Sequence, residues 1–255
     1  MNARPFSNYS TRARIGLIVP PTNTVNEAEW MRMLPEGVTF HTARMPLHAD
    51  TTSDEGKRTL YEDVRHFVTD LAKARPDVIA YACTAGSMVT PIESLPDFMR
   101  GVTGIPAVAT APSLVMAARA LGVTRVTMAT PYHDALNEHE RHFLADNGIE
   151  VLRMAGLGIG AGGPGEYGRI AQVPLDKVYA HARSVDHKDA QALMISCTDF
   201  STLPLIARLE SELGIPVITS NTATLWAALR AAITDPALRP VVPAGGRLLN
   251  DGMRA

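Results

Sequence analysis

The sequence predicts an α/β fold of two pseudo-symmetric halves, each with a central parallel sheet flanked by helices, and a site in the cleft between them. Three observations carry this prediction. Short continuous apolar runs alternate with longer amphipathic stretches. Landmarks of the first half recur in the second at nearly constant spacing. The 255 residues are 46% hydrophobic and 20% charged, the composition of a globular protein able to bury a large core without covalent staples.

The apolar runs come first along the chain. Ile15 to Val19 is bounded by Pro20 and Pro21, and Asp77 to Ala82 ends at Cys83. Pro106 to Ala109 follows a Gly-Ile-Pro turn, and Arg125 to Ala129 leads to Pro131. Ala192 to Ser196 ends at Cys197, and Pro216 to Thr219 follows a second Gly-Ile-Pro turn. Unbroken runs of this length mark parallel strands covered on both faces. Between them, Glu55 to Ala74 sets Leu60, Val64, Phe67, Val68 and Leu71 on one helical face. The stretches from Asp134 to Asn147 and from Leu175 to Val185 read the same way. Strands alternating with helices predict a parallel sheet whose chemistry sits at the carboxyl ends of the strands.

The recurrence divides this pattern in two. Arg14 to Pro20 aligns with Arg125 to Pro131 at an offset of 111 residues. Gly104 to Val108 aligns with Gly214 to Ile218 at 110, and Cys83-Thr84 with Cys197-Thr198 at 114. Helices around Ser113–Leu121 and Ala223–Ala232 follow the two Gly-Ile-Pro turns. A pseudo-two-fold of this kind brings two strand-end loops face to face, each with a thiol.

Charge and composition exclude several functions. The net charge of −2, from 24 Lys+Arg against 26 Asp+Glu, lacks the basic excess of an electrostatic nucleic-acid binder. The polar stretch 1–14 has no apolar segment of a secretory leader, and no apolar run approaches a membrane span. These features predict a soluble cytoplasmic protein. Two cysteines exclude a disulfide scaffold and a four-cysteine zinc site, and in a reducing cytosol they are expected as free thiols.

Each cysteine ends an apolar strand and opens a loop of small and polar residues, Cys83-Thr84-Ala85-Gly86-Ser87 and Cys197-Thr198-Asp199-Phe200-Ser201. Backbone N–H groups at such a position lower a thiol's pKa and bind carboxylates. A lone cysteine would read as a small buried hydrophobe. A matched pair reads as an acid/base device: one thiol attacks or deprotonates one face of a carbon, and the other protonates the opposite face. Such a device requires no metal and no organic cofactor.

These residues resemble the aspartate/glutamate racemase superfamily, nearest its branch of maleate cis-trans isomerases, arylmalonate decarboxylases and ectoine-utilisation relatives. The matching stretches are RIGLIVPPTNT (14–24), YACTAGSM (81–88), GIPAVATAPS (104–113), MATPYHDALNE (128–138), MISCTDFSTLP (194–204) and GIPVITSNTATLWAALRAA (214–232). The resemblance implies two Rossmann-like halves, one of residues 1–120 with 222–255 and one of 121–221, the final helix returning to the first. It implies Cys83 and Cys197 as the catalytic pair. Asn23 would hold a substrate carboxylate, Tyr132 would contact the substrate, and Thr84 and Thr198 would help shape two carboxylate-binding loops. Ala85, Asp199 and Pro21 complete the candidate substrate-binding set. The implied activity is cofactor-independent maleate-type isomerisation through a thiol adduct, by a homo-oligomer (dimer or tetramer) acting on a small carboxylate or dicarboxylate. Two alternatives are an amino-acid racemase working by two-base proton transfer, and a decarboxylase or non-catalytic ligand-binding relative.

The sequence departs from the isomerase pattern at two places. The stretch from Gly163 to Gly168 lacks the second asparagine expected there. Asp199, beside Cys197, would repel a dianion unless it points away or is protonated. Carrying both cysteines argues against the decarboxylase branch, which works with only the second.

Weaker signals are read conservatively. The Gly-x-Gly-x-x-Gly at Gly158–Gly163 is interrupted by Pro164 and Gly165, so it reads as a mobile loop and candidate lid rather than a dinucleotide motif. His133, His139 and His142 read as solvated helix residues, with His133 near the site through its neighbour Tyr132. Asn221 and Thr222 either line the site or cap a helix starting near Thr224, and Trp226 reads as core.

Overall fold

The computed structural model describes residues 7–48, 50, 51 and 53–253; the first six residues of the polar stretch 1–14 lie outside the described residues. Two four-stranded sheets, all parallel, organise the chain. The first comprises β1 (Ala13–Val19), β2 (Val38–Arg44), β3 (Val78–Tyr81) and β4 (Ala107–Ala109) in the order β2-β1-β3-β4. The second comprises β5 (Arg125–Tyr132), β6 (Glu150–Ile159), β7 (Ala192–Ile195) and β8 (Val217–Thr219) in the order β6-β5-β7-β8. Each order becomes the other when the strand numbers shift by four, which is the internal repeat seen as topology.

Register positions the site. Ile18 of β1 pairs with Tyr81 of β3, so the turn after β1 and the Cys83 loop leave the first sheet side by side. Ala129 of β5 pairs with Ile195 of β7, which does the same for Tyr132 and the Cys197 loop. The residues of β3, β7 and β8 are all buried, as continuous apolar runs predict. The edge strands β2 and β6 escape that reading because they are partly exposed and mix polar with apolar residues.

Helices cover the sheets. In α1 (Asn26–Met33), Trp30 and Met33 are buried. In α2 (Asp54–Ala72), Leu60, Val64, Val68 and Leu71 form the buried face, and Phe67 is half-buried beside it. Complete burial of each such aliphatic side chain contributes about 1.5–3 kcal/mol. α3 (Ser94–Thr103) and α7 (Ile206–Leu213) end on Gly104 and Gly214, both left-handed with φ of 71° and 72°. Glycine takes this conformation without a Cβ penalty, which explains why both Gly-Ile-Pro turns begin with it. α5 (Asp134–Asp146) and α6 (Leu175–Ser184) fall where the amphipathic stretches predict.

α4 (Thr110–Ala120) and α8 (Ser220–Ala232) pack against each other, and α8 also reaches β1, β3 and β4 of the first sheet. α8 begins four residues before the Thr224 start expected from sequence, because Thr219 and Thr222 form a reciprocal capping box. Asn221 therefore lies inside the helix. Trp226 is buried, and its Nε1 donates to the Gly252 carbonyl at 2.9 Å, fastening the segment that follows α9 (Gly246–Asn250). Among the described residues, no helix is long and apolar enough to cross a membrane.

Candidate active site

A cavity of about 500 Å³ lies where the strands of both sheets end. Pro20, Thr22 and Asn23 reach it from the turn after β1, and Cys83, Thr84 and Ala85 from the loop after β3. The second half contributes Tyr132 and His133 at the end of β5, and Cys197, Thr198 and Asp199 after β7. The size suits a small-molecule site. No lysine or arginine is found in the lining among the described residues.

Both cysteines are buried free thiols. Their surroundings match. Cys83 Sγ accepts from the Gly86 N–H at 3.4 Å and from the Tyr81 hydroxyl. Cys197 Sγ accepts from the Asp199 N–H at 3.4 Å and from the Tyr132 hydroxyl. Gly86 makes the first arrangement possible: a Cβ there would collide with the Tyr81 hydroxyl and stand 3.2 Å from Cys83 Sγ. Cys197 has a φ of 105°, a left-handed backbone that non-glycine residues rarely adopt. Strain of this kind persists where surrounding contacts over-determine it, as they do at functional loops.

Burial pushes both thiols up, and donors to sulfur oppose it. The two cysteines differ in what else acts on them. Among the described residues, the groups acting on Cys83 are the Gly86 N–H and the Tyr81 hydroxyl, both favouring the thiolate. Cys197 is raised further by the Asp199 carboxylate and by Cys83 itself.

The two halves are bonded across the site. Ser220 Oγ, at the start of α8, accepts from the Cys197 N–H at 3.0 Å and pairs with Thr84 Oγ1 at 2.9 Å. Asn23 Oδ1 accepts from the N–H groups of Val25 and Asn26 at the entry to α1. Asp199 Oδ1 accepts from the N–H groups of Thr24 and Val25 at 2.8 and 3.2 Å, while its Oδ2 is buried without a partner among the described residues. Burial raises the Asp199 carboxyl to about 6 against these two donors and the nearby Arg44 charge. Glu29 of α1 accepts from the N–H groups of Thr202 and Leu203 and from Asn221 Nδ2, which ties α1 to the loop beyond Cys197.

The family model described as arylmalonate decarboxylase matches residues 15–249. The chain belongs to the arylmalonate decarboxylase family. Within it, the chain is 33% identical to a maleate isomerase of Nocardia farcinica over 249 residues, covering 92% of this chain and 95% of that one. It is 30% identical to the arylmalonate decarboxylase of Bordetella bronchiseptica, covering 89% and 93%. Among solved structures, it matches a cysteine-to-serine mutant of the Nocardia farcinica maleate cis-trans isomerase with a covalently bound succinylcysteine intermediate. The TM-score is 0.81 and the identity 30%, over 94% of this chain and 98% of that one. Both relatives belong to the superfamily that the sequence resembles.

Of the residues singled out from sequence, Cys83, Cys197, Asn23, Tyr132, Thr84, Thr198, Ala85 and Asp199 all line the cavity of this family member. Pro21 does not; it is exposed, and its neighbours Pro20 and Thr22 face the cavity instead. Asn221 and Thr222 are not in the lining either: Asn221 bonds Asn26 and Glu29, and Thr222 caps α8.

Several lining residues were not anticipated. His139 lines the cavity rather than standing in solvent, because α5 runs along its wall from Tyr132 onward; His133, set near the site by its neighbour Tyr132, lines it too. Ala135, Leu136 and His139 share that helical face, and their i, i+1, i+4 spacing is the signal that could have found them. His142 is exposed beside Glu138, as expected. The glycine-rich segment is not a bare loop: a 3₁₀ stretch, Pro164–Gln172, follows it and brings Tyr167 and Ile170 to the cavity. Glu166 Oε2 accepts from the Gly160 and Gly162 N–H groups and pins the turn. Gly160 has a φ of 100°, and a Cβ there would stand 2.6 Å from the Tyr167 ring. Behind the Cys197 loop, Glu140 is buried, accepts from Ser196 Oγ at 2.5 Å, and is raised by burial to about 7.

Proposed function

We propose that the protein is a cofactor-independent cis-trans isomerase of a four-carbon cis-enoic acid of the maleate type, working through a covalent thiol adduct. The observation that carries this reading is the pair of buried free thiols on one cavity, each served by one tyrosine hydroxyl and one backbone amide. Similarity to the maleate isomerases supports it.

Cys83 is the nucleophile in this scheme, because its two donors favour the thiolate and no carboxylate among the described residues opposes them. Cys197 is the acid, because the Asp199 carboxylate helps keep its proton on. Cys83 Sγ adds to one alkene carbon, and the electron pair of the double bond takes the Cys197 proton at the other. The central bond is then single and rotates. Cys197, now a thiolate, removes a proton from the carbon it protonated. The double bond re-forms in the trans geometry as the C–S bond breaks, returning both cysteines to their starting states. Asn23, Tyr132 and the two cysteine loops hold the substrate so that rotation is the only large motion it makes. A cytoplasmic setting fits two thiols that must stay reduced.

Proton NMR of purified protein with maleate and with its monoamide tests the reading. The trans product should appear with wild type and vanish with Cys83→Ser. Release of carbon dioxide from an arylmalonate, with no trans product from either alkene, would favour the decarboxylase activity of the relative instead.

A further inference from the structure

Asp199 is the one acidic side chain in the cavity lining among the described residues, and no lysine or arginine stands with it. Its carboxylate is bonded at one oxygen and buried without a bond at the other among the described residues. Oδ1 accepts from the Thr24 and Val25 N–H groups, whereas Oδ2 is buried without a partner among the described residues. The residue is 6% exposed, so bulk water does not satisfy that oxygen. Arg44, whose charge acts on it, bonds Glu27 and the Asn23 carbonyl rather than Asp199. A buried acceptor of this kind leaves a cost that a ligand donor would remove, and a ligand carboxylate would increase.

We propose that Asp199 selects a substrate with one carboxylate and one primary carboxamide, the monoamide of a cis-butenedioic acid, over the dicarboxylate. The inference rests on the isomerase reading, which narrows the choice of donor. Thiol addition needs an electron-poor alkene. A carboxamide keeps the double bond conjugated to a carbonyl, and its N–H groups supply the donor that Asp199 Oδ2 lacks. An amino group placed directly on the alkene would feed electrons into it and oppose addition. The carboxylate end is left to Asn23, Tyr132 and the loop amides.

The test compares maleamate with maleate as substrates of wild type and Asp199→Asn, with kcat/KM read by NMR. Wild type should prefer maleamate. Asparagine can still accept from Thr24 and Val25 through Oδ1 while presenting a donor in place of Oδ2. The preference should therefore swing toward maleate by about a hundredfold. A thermal melt confirms that the variant is folded. Calorimetry with the saturated analogues succinamate and succinate reads the same contact without turnover, and wild type should bind succinamate more tightly. A wild-type preference for the dicarboxylate in both assays, or a preference unchanged by Asp199→Asn, overturns the proposal. Failure to turn over either alkene while succinamate is still preferred through Asp199 would sink the isomerase reading and leave the carboxamide contact standing.

Discussion

The Thr198 hydroxyl donates to the carbonyl of Ala82 at 3.1 Å, so the residue after one cysteine is bonded to the residue before the other. The same oxygen accepts from Asn23 Nδ2 at 3.0 Å. One buried hydroxyl thus joins the turn after β1 and both cysteine loops. The separation of the thiols is set by this junction and by Ser220, which bonds the Cys197 N–H and Thr84.

Thr198→Val keeps the shape and removes the hydroxyl. It strands the Ala82 carbonyl and the Asn23 amide in a buried site, which should cost about 2 kcal/mol or more in chemical denaturation. Activity should fall beyond what the loss of folded protein explains, because the loops are no longer held in register.

Gly86→Ala should raise the pKa of Cys83. The added Cβ collides with the Tyr81 hydroxyl, which must leave the sulfur, and a donor favouring the thiolate is lost. Tyr81→Phe removes that donor without a collision and should shift Cys83 the same way. The pH dependence of iodoacetamide labelling at Cys83, read by peptide mass spectrometry, measures both. An unshifted profile for Tyr81→Phe would remove Tyr81 from the account.

Glu140 predicts a stability that falls with rising pH. Its carboxyl is raised from 4.5 to about 7 in the folded protein, so between those values the native state binds more protons than the unfolded chain. Stability is therefore lost as pH climbs through this window and levels off above it, by about 3 kcal/mol at most. Glu140→Gln mimics the protonated carboxyl and can still accept from Ser196 Oγ. Its stability profile should be shallower than wild type, and above pH 8 the variant should be the more stable protein. Urea titrations at several pH values decide; parallel profiles would contradict the assignment.

The buried strands and the cysteine pair were legible in the sequence because both follow from local pattern. A strand covered on two faces must be apolar throughout, as β3 and β7 are, and its end is marked by the first polar residue. β2 and β6 were hidden because they are partly exposed and mix polar with apolar residues, so no continuous apolar run marks them. The site was legible where chemistry sits on strand ends, as with Cys83, Tyr132 and Thr198. It was hidden where a wall is built from helix geometry. His139 and Tyr167 reach the cavity through the course of α5 and of the 3₁₀ stretch after Gly163, which no local motif encodes. Tyr81 escaped because, as a buried strand residue, it read only as core.

The central claim is that Cys83 forms the covalent bond and Cys197 moves the proton. Its most direct measurement is intact-protein and peptide mass spectrometry of Cys197→Ser incubated with maleate and, separately, maleamate. The account predicts a mass increase of one substrate molecule, mapped to Cys83, with little trans product released. An unmodified Cys83 in that variant, together with undiminished isomerisation by Cys83→Ser, would contradict it.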